Sequence, residues 1–125
     1  MKTILVDVYD KSIQPVDVAD KLEDFYRLLR CDTIDITERN IGGKQFSVMC
    51  DDEGLLKDEA IVSAFDSNNN AALVGNLMFF HTDPNGNLVG ISEDECRHLL
   101  ACSETYVNVV RPGIYPAITK CDYAY

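Results

Sequence analysis

The sequence predicts a small α+β domain in which two helices pack on one small, mostly antiparallel sheet. Three observations favour this class: several segments alternate apolar and polar residues with the period of a strand, two segments carry helix-start signals, and glycine-containing turns separate neighbouring strands. The chain has 125 residues, of which 46% are apolar and 26% are charged. This composition is typical of a globular domain and excludes a disordered chain.

Two strands and a helix are predicted for the first quarter of the chain. Apolar and polar residues alternate over 3–9, which indicates a half-buried strand. A second short strand follows over 13–18, and Pro15 places it at the edge of the sheet. Residues 20–23 have the Asp-x-x-Glu form of a capping box, which predicts a helix that ends near Arg30.

A β-hairpin is predicted next. Apolar and polar residues alternate over 33–37 and again over 45–50. The segment between them contains Gly42 and Gly43, which supply the positive φ angles of a tight turn, so the two strands are antiparallel. Residues 60–65 include a short apolar run whose periodicity does not separate a helix from a strand, and both interpretations stay open.

The centre of the sheet is predicted at residues 71–80. This segment is almost continuously apolar, which indicates a strand that is covered on both faces. Gly75 interrupts it and is expected to mark a bulge or a close backbone approach. A turn at 83–86 then leads to a short pairing strand at 88–89.

A second helix and a tail complete the chain. A capping box at 92–95 predicts a helix that ends near Ala101, and a last strand is expected around 106–109. We therefore expect a single α+β domain over residues 1–102. The strand and the tyrosine-rich tail of 103–125 are expected to pack on this domain or on a partner subunit.

The sequence predicts a soluble cytoplasmic protein. Asp7 interrupts the apolar stretch at the N-terminus, so a signal peptide is not expected, and no segment approaches the roughly 20 continuous apolar residues that cross a bilayer. The five cysteines are scattered without Cys-x-x-Cys spacing. Reduced thiols are therefore expected, and neither a disulfide framework nor a zinc site is.

No linear motif indicates catalysis, a metal or a cofactor. The glycine pair at 42–43 lacks the following helix that phosphate-binding loops use. The acidic residues at 51–53 lack the alternating placement of a calcium-binding loop. His81 and His98 are the candidate general bases near neutral pH, and neither has a nearby nucleophile arranged as a known elbow or thiol motif. We therefore expect a protein that is not an enzyme.

Two kinds of binding surface remain open. Basic residues near the ends of predicted strands, together with one tyrosine of the tail, would form a pocket for a small anionic, nucleotide-like ligand if folding brings them together: Arg39, Lys44, His81, Arg111 and Tyr115. Eleven basic against 21 acidic residues give a net charge of −10, which disfavours direct binding to nucleic acid. An acidic surface would instead bind a basic protein partner through Asp51, Asp52, Glu53, Asp58 and Glu59.

Five segments carry a resemblance to a known family: 2–7, 31–35, 41–46, 50–56 and 73–76. They include the pattern Asp-Glu-Gly-Leu-Leu, followed at a distance by Val-Gly-Asn. The chain resembles the domain of unknown function 3846 family, whose members are small and occur in Firmicutes, their phages and their mobile elements. The likeness spans about residues 1–100. Members often have an Asn-Arg pair where this chain has 58–63, so no role of that pair transfers.

These observations lead to a functional hypothesis. We predict a non-catalytic binding protein of phage or mobile-element type that counters host defence by sequestering a small nucleotide-like immune signal. One alternative is an acidic inhibitor that mimics DNA and binds a nucleic-acid-processing defence enzyme, and another is a nucleotide hydrolase. A homo-oligomer formed through the tail or an edge strand is also expected.

Overall fold

The computed structural model describes residues 1–57 and 60–124, which form two helices and eleven strands. The helices are α1 (Leu22–Leu29) and α2 (Glu93–Ala101), and a short 3-10 helix spans Gly54–Leu56. The strands are, in chain order, β1 (Lys2–Asp7), β2 (Ser12–Asp17), β3 (Ile34–Ile41), β4 (Lys44–Asp51), β5 (Val62–Phe65), β6 (Ala71–Val74), β7 (Leu77–Thr82), β8 (Leu88–Val89), β9 (Ser103–Asn108), β10 (Gly113–Ile118) and β11 (Cys121–Tyr123).

These strands form two sheets. The larger has the order β11-β3-β4-β7-β1-β2, with β8 paired to β7, and the smaller has the order β6-β5-β10-β9. All of these pairs are antiparallel except β5 with β10, which is parallel. The predicted α+β class is confirmed, but the strands are divided between two sheets where the sequence predicts one.

Strand β7 separates two hydrophobic cores because its side chains alternate between the faces of the larger sheet. Met78 and Phe80 pack with Phe25 and Leu29 of α1 on one face. The other face, which carries the alternate residues of β7, packs against α2 and the smaller sheet. The second core contains Ile4, Phe46, Leu77, Phe79, Cys96, Leu99 and Ile118.

The two helices begin differently, although both are predicted from capping boxes. Helix α2 has the complete box: the Glu95 amide donates to Ser92 Oγ at 3.1 Å, and the Ser92 amide donates to Glu95 Oε1 at 2.9 Å. The predicted box at the start of α1 is wrong. Lys21 occupies its N-cap position and makes no side-chain cap, because the helix begins one residue later than an Asp20 cap requires. Arg30 ends α1 in the left-handed conformation.

The β3–β4 hairpin is confirmed, and its turn contacts the end of α2. Gly42 and Gly43 have φ angles of +58° and +89°. A Cβ atom on Gly42 would lie 2.7 Å from the Cys102 sulfur and 3.1 Å from the ring of His98, whereas a Cβ atom on Gly43 would meet nothing within 4 Å. Gly42 therefore allows the turn to lie directly against α2.

Residues 71–80 form two strands rather than the single strand that the sequence predicts. The chain leaves β6 at Gly75, whose φ is +76°, and enters β7 in the other sheet. Asn76 is buried at this crossing, where its side chain accepts from the Val8 amide and donates to the Leu28 carbonyl oxygen. Gly75 can adopt the positive φ that this change of sheet requires. The hydrogen bonds of the Asn76 side chain satisfy the backbone groups of Val8 and Leu28 at the crossing.

The segment 60–65, which the sequence allows to be either a helix or a strand, contains strand β5. The tail contributes strands to both sheets. Strand β5 pairs in parallel with β10 at Ala64 and Ile118. Strand β11 pairs with β3 at the edge of the larger sheet. The sequence pattern misses β10 because Pro116 lies within it. Pro116 is tolerated because the pairing with β5 is confined to Ile118.

Neither helix of the described chain is long and apolar enough to cross a membrane.

We predict that Gly42→Ala lowers the free energy of unfolding more than Gly43→Ala does. Both substitutions place a side chain at a positive φ, which costs roughly 1–2 kcal/mol. Only the first also meets a sulfur atom at 2.7 Å. Urea unfolding of both variants measures the difference. Adding Cys102→Ala should remove most of it, and equal losses for the two single variants would contradict the close contact.

Candidate ligand-binding site

Arg39 is a buried cation in the core face of β3. Only 6% of its surface is exposed. Its Nε donates to Thr37 Oγ1 at 3.1 Å, and the guanidinium carbon lies 3.9 Å from the ring centroid of Tyr123 on the neighbouring strand β11. The residues of 1–57 and 60–124 place no carboxylate oxygen within 4.0 Å of its nitrogens. The guanidinium is therefore held by a hydroxyl and an aromatic ring rather than by an acid.

Arg39 lies in the wall of a cleft of about 290 Å³ between the two sheets. One wall is polar and comes mainly from β3 and β4. The other is apolar and comes from β6, the 3-10 helix and β11. The polar wall contains Asp35, Arg39, Cys50, Asp51 and Asp52, and the apolar wall contains Leu55, residues 71–74 and Tyr123.

The acidic residues of this cleft differ in whether their carboxylates already form an ion pair. Asp51 Oδ2 accepts from Lys57 Nζ at 2.5 Å, and this hydrogen bond raises the pKa of Lys57. Asp35 Oδ1 accepts from the Ile36 amide at 2.9 Å and is exposed, as is Asp52. The cleft therefore contains one buried cation behind a negatively charged rim.

Asp122 lies near Arg39, but its carboxylate is hydrogen-bonded to Ser67. Its carboxylate accepts hydrogen bonds from the hydroxyl and the amide of Ser67. These hydrogen bonds lower the pKa of Asp122 below its ordinary value, and the charge of Arg39 adds a smaller contribution at longer range. Asp122 thus stabilises the loop after β5 instead of pairing directly with Arg39.

The structure does not bring the five candidate residues together in one cavity, because they lie in different parts of the fold. Arg39 lines the cleft. Lys44 is exposed at the start of β4, beyond the hairpin turn. Tyr115 is 2% exposed, with Lys11 Nζ 5.1 Å from its ring centroid, so it belongs to the core.

Arg111 lines a separate cavity of about 70 Å³, which has room for a few water molecules but not for a nucleotide. Tyr9, Lys57 and Gly75 also line it. The Arg30 guanidinium stacks on Tyr9 at 4.9 Å, beside the same cavity. This part of the molecule therefore has a local concentration of cations, but its cavity is too small for a nucleotide.

His81 contacts α2 rather than the cleft. Its Nε2 contacts the Glu95 carboxylate, and its ring stacks on Phe46 with 5.5 Å between ring centroids. His98 stacks on the same phenyl ring at 6.3 Å, and its Nε2 donates to the Ile41 carbonyl oxygen at 2.6 Å. Both imidazoles therefore hold α2 against the larger sheet.

The alternative acidic surface is only partly available in the structure. Asp52 and Glu53 are exposed. The carboxylate of Asp51 is buried in its ion pair with Lys57. Asp58 and Glu59 lie outside the described residues. Within the described part of the chain, no three His, Cys, Asp or Glu side chains are grouped so that they could hold a metal ion.

The sequence reasoning missed Tyr123 and the wall formed by β6. Tyr123 contacts Arg39 because β11 pairs with β3 in a register that places these two residues opposite each other. A strand of three residues gives too short a pattern to be recognised. The sequence does not predict the apolar wall, because its apolar pattern places 71–74 in the same strand as β7.

We predict that Cys102 reacts faster with a thiol reagent than the other four cysteines in the folded protein. Burial raises the pKa of Cys50 and Cys121 to about 11, so at pH 8 about one thiol in a thousand is ionised. Cys31 and Cys96 are also buried, whereas Cys102 is half-buried. Colorimetric titration at pH 8 measures the rates. Cys102→Ser should remove the fast phase, and its persistence in that variant would contradict this assignment.

We also predict that Glu95→Gln destabilises the protein at neutral pH but not in acid. Burial raises the pKa of Glu95, but the Ser92 amide and His81 outweigh it, so the net pKa is below its ordinary value. A lowered folded pKa stabilises the protein above the unfolded pKa, and this contribution disappears as the pH falls through the folded pKa. Thermal unfolding between pH 7 and pH 3 should show the two proteins converging. A constant difference over this range would contradict the prediction.

A family model described as Domain of unknown function (DUF3846) matches residues 1–103 of the chain. This region contains β1 to β8 and both helices, and it ends at the first residue of β9. No curated protein and no solved structure matches the chain. The match covers most of the chain and confirms the resemblance noted in the sequence. The chain therefore belongs to the DUF3846 family of domains of unknown function.

Proposed function

We propose that the protein is a non-catalytic binding protein for a small ligand that combines one anionic group with a planar or apolar part. The observation that carries this proposal is Arg39, a guanidinium that is 6% exposed, faces a cleft and has no acidic partner within 4.0 Å among the described residues. A buried charge without a counter-ion is costly. An anion bound in the cleft would remove that cost.

Guanidinium geometry supports recognition of a carboxylate or a phosphate. Two parallel N–H groups of Arg39 would donate to two oxygens of such a group, since its Nε is already bonded to Thr37. Tyr123 covers one face of the guanidinium and fixes its plane. The apolar part of the ligand would then lie along residues 71–74 and Leu55.

The size and charge of the cleft narrow the ligand class. A volume of about 290 Å³ is at the lower end of the roughly 300–1,000 Å³ of small-molecule sites, so the site suits a mononucleotide or a smaller molecule. Asp35 and Asp52 at the rim would repel ligands with several negative charges. We therefore favour a nucleoside monophosphate or a cyclic mononucleotide over ligands with two or more phosphates.

The groups that line the cleft support binding rather than catalysis. Cys50 is its nucleophilic side chain, and burial raises the pKa of that thiol to about 11. The described lining contains no histidine to act as a general base. In a phage or mobile-element setting, which the family resemblance suggests, stoichiometric capture of a nucleotide-like host signal would be the biological role.

The test is calorimetric titration of the purified chain with AMP, cyclic AMP and ADP-ribose. We expect AMP or cyclic AMP to bind more tightly than ADP-ribose and to be recovered intact after denaturation. Arg39→Met should weaken binding at least tenfold, about 1.4 kcal/mol, while it leaves the stability of the free protein within about 1 kcal/mol. Arg27→Met, on the exposed side of α1, is the matched control and should bind normally.

Asp52→Asn should strengthen nucleotide binding, whereas Arg39→Met should weaken it. Removing one negative charge from the rim should tighten binding of the same nucleotide. Lack of binding by all three probes, combined with a loss of several kcal/mol of stability in Arg39→Met, would make Arg39 a structural residue and overturn the proposal. Conversion of a probe in molar excess over protein would instead establish a hydrolase.

The net charge of −10 supports a second candidate, an acidic inhibitor of a basic nucleic-acid-processing enzyme. Asp52 and Glu53 are the exposed described residues of its expected surface. Binding of this kind would weaken steeply with salt and would be unaffected by Arg39→Met. These two responses distinguish it from binding in the cleft.

A further inference from the structure

A second cavity adjoins the candidate cleft where Arg39 lies. Its volume is about 120 Å³, and we call it the side cavity. The residues that line both spaces are Arg39, Ala71, Ala72 and Tyr123. Those that line the side cavity but not the cleft are Asp66, Cys121 and Asp122. Because the two spaces share Arg39, an anion bound to that guanidinium would border both of them.

The turn between β5 and β6 forms one wall of the side cavity. Asp66, at the start of this turn, accepts the amides of Asn68 and Asn70 on Oδ1, each at 2.9 Å. Ser67 donates its amide and its hydroxyl to Asp122 of β11. Asp66 therefore closes the turn, and Asp122 fixes it to the larger sheet. The Asp66 carboxylate thus has a defined position in the absence of a ligand.

One carboxylate oxygen of Asp66 is available to a ligand. Both turn amides bond to Oδ1, and no donor of residues 1–57 and 60–124 bonds to Oδ2. Each oxygen of Asp122, in contrast, already accepts from Ser67. An ionised carboxylate can only accept hydrogen bonds, so a ligand group that enters the side cavity must donate one. The wall of the cleft formed by Leu55 and residues 71–74 is apolar instead.

The charges of the side cavity favour an anion with a single negative charge. Asp66 and Asp122 share this cavity with Arg39, so a doubly charged phosphate would meet more repulsion than a singly charged one. The phosphate of a cyclic mononucleotide is bonded to the ribose through two of its oxygens and carries one charge. The free hydroxyl of that ribose, the 2′-hydroxyl, is on the carbon next to one that bears the phosphate. It is a hydrogen-bond donor close to the anion.

We propose that the side cavity binds the ribose 2′-hydroxyl of a cyclic mononucleotide through Asp66, so that the protein selects ribose over deoxyribose. This inference rests on the proposed function of the cleft. The phosphate would accept from Arg39, the base would lie along residues 71–74, and the hydroxyl would donate to Oδ2 of Asp66. A site that hydrogen-bonds a ligand hydroxyl binds the analogue without that hydroxyl more weakly, because its own polar group is then left unpaired.

The test is calorimetric titration of the full chain with cyclic AMP and with its 2′-deoxy analogue. We expect cyclic AMP to bind about tenfold more tightly, as for one hydrogen bond to a charged acceptor. Asp66→Asn keeps one oxygen for the turn amides and replaces the other with a donor, so it should bring the two affinities within about twofold of each other. Asp83→Asn is the matched control and should keep the preference. Asp83 Oδ1 likewise accepts the amides of Asn85 and Asn87, but Asp83 lines neither the cleft nor the side cavity.

The outcomes distinguish this inference from the proposed function. Equal affinities of the unmodified chain for the two nucleotides, both weakened by Arg39→Met, would support the proposed function and overturn the role of the side cavity. Lack of binding by both nucleotides would also overturn that role, while binding of AMP would still support the proposed function. A preference for ribose that persists in Asp66→Asn, or that disappears in Asp83→Asn as well, would likewise overturn the inference.

Discussion

The need to cover both faces of β7 determines the layout of the molecule. Successive side chains of this central strand point to opposite faces, and Leu77, Met78, Phe79 and Phe80 are all inaccessible to solvent. A single layer of helices could bury one face of such a strand but not the other. Helix α1 covers the first face, while α2 and the smaller sheet share the second. The candidate cleft lies between the sheets, beside β3 and the edge strands β11 and β6.

This placement explains how Arg39 can be buried without an acidic partner among residues 1–57 and 60–124. Its side chain belongs to the core face of β3, beside Phe46 on β4. The cleft leaves space in front of the guanidinium, and Tyr123 covers it from the neighbouring strand. The matched family region supplies Arg39, whereas Tyr123 comes from the segment beyond residue 103. The proposed site therefore combines the family domain with the part of the chain that follows it.

Local signals predicted two features that depend on neighbouring residues in the chain, although they failed at the start of α1. The turn at Gly42–Gly43 and the capping box of Ser92 with Glu95 both involve groups within a few residues of each other, and both form as expected. Features that depend on distant pairing could not be predicted. The pairing of Arg39 with Tyr123 requires the register between β3 and a strand of three residues. The change of sheet at Gly75 likewise depends on which strands lie beside β6 and β7, which periodicity does not specify.

The parallel pairing of β10 with β5 has a consequence for the order of folding during synthesis. The first half of the larger sheet consists of hairpins whose partners emerge from the ribosome one after another, as with β1 and β2 or β3 and β4. Strands β5 and β6 can pair with each other as they emerge, but they cannot join β9 until residues 113–118 have been translated, because β10 lies between β5 and β9. Until then the second core, which includes Ala64 and Phe79, lacks Ile118. The nascent chain thus exposes part of its second core until translation is nearly finished, which makes that interval the one in which it is most open to aggregation or chaperone binding.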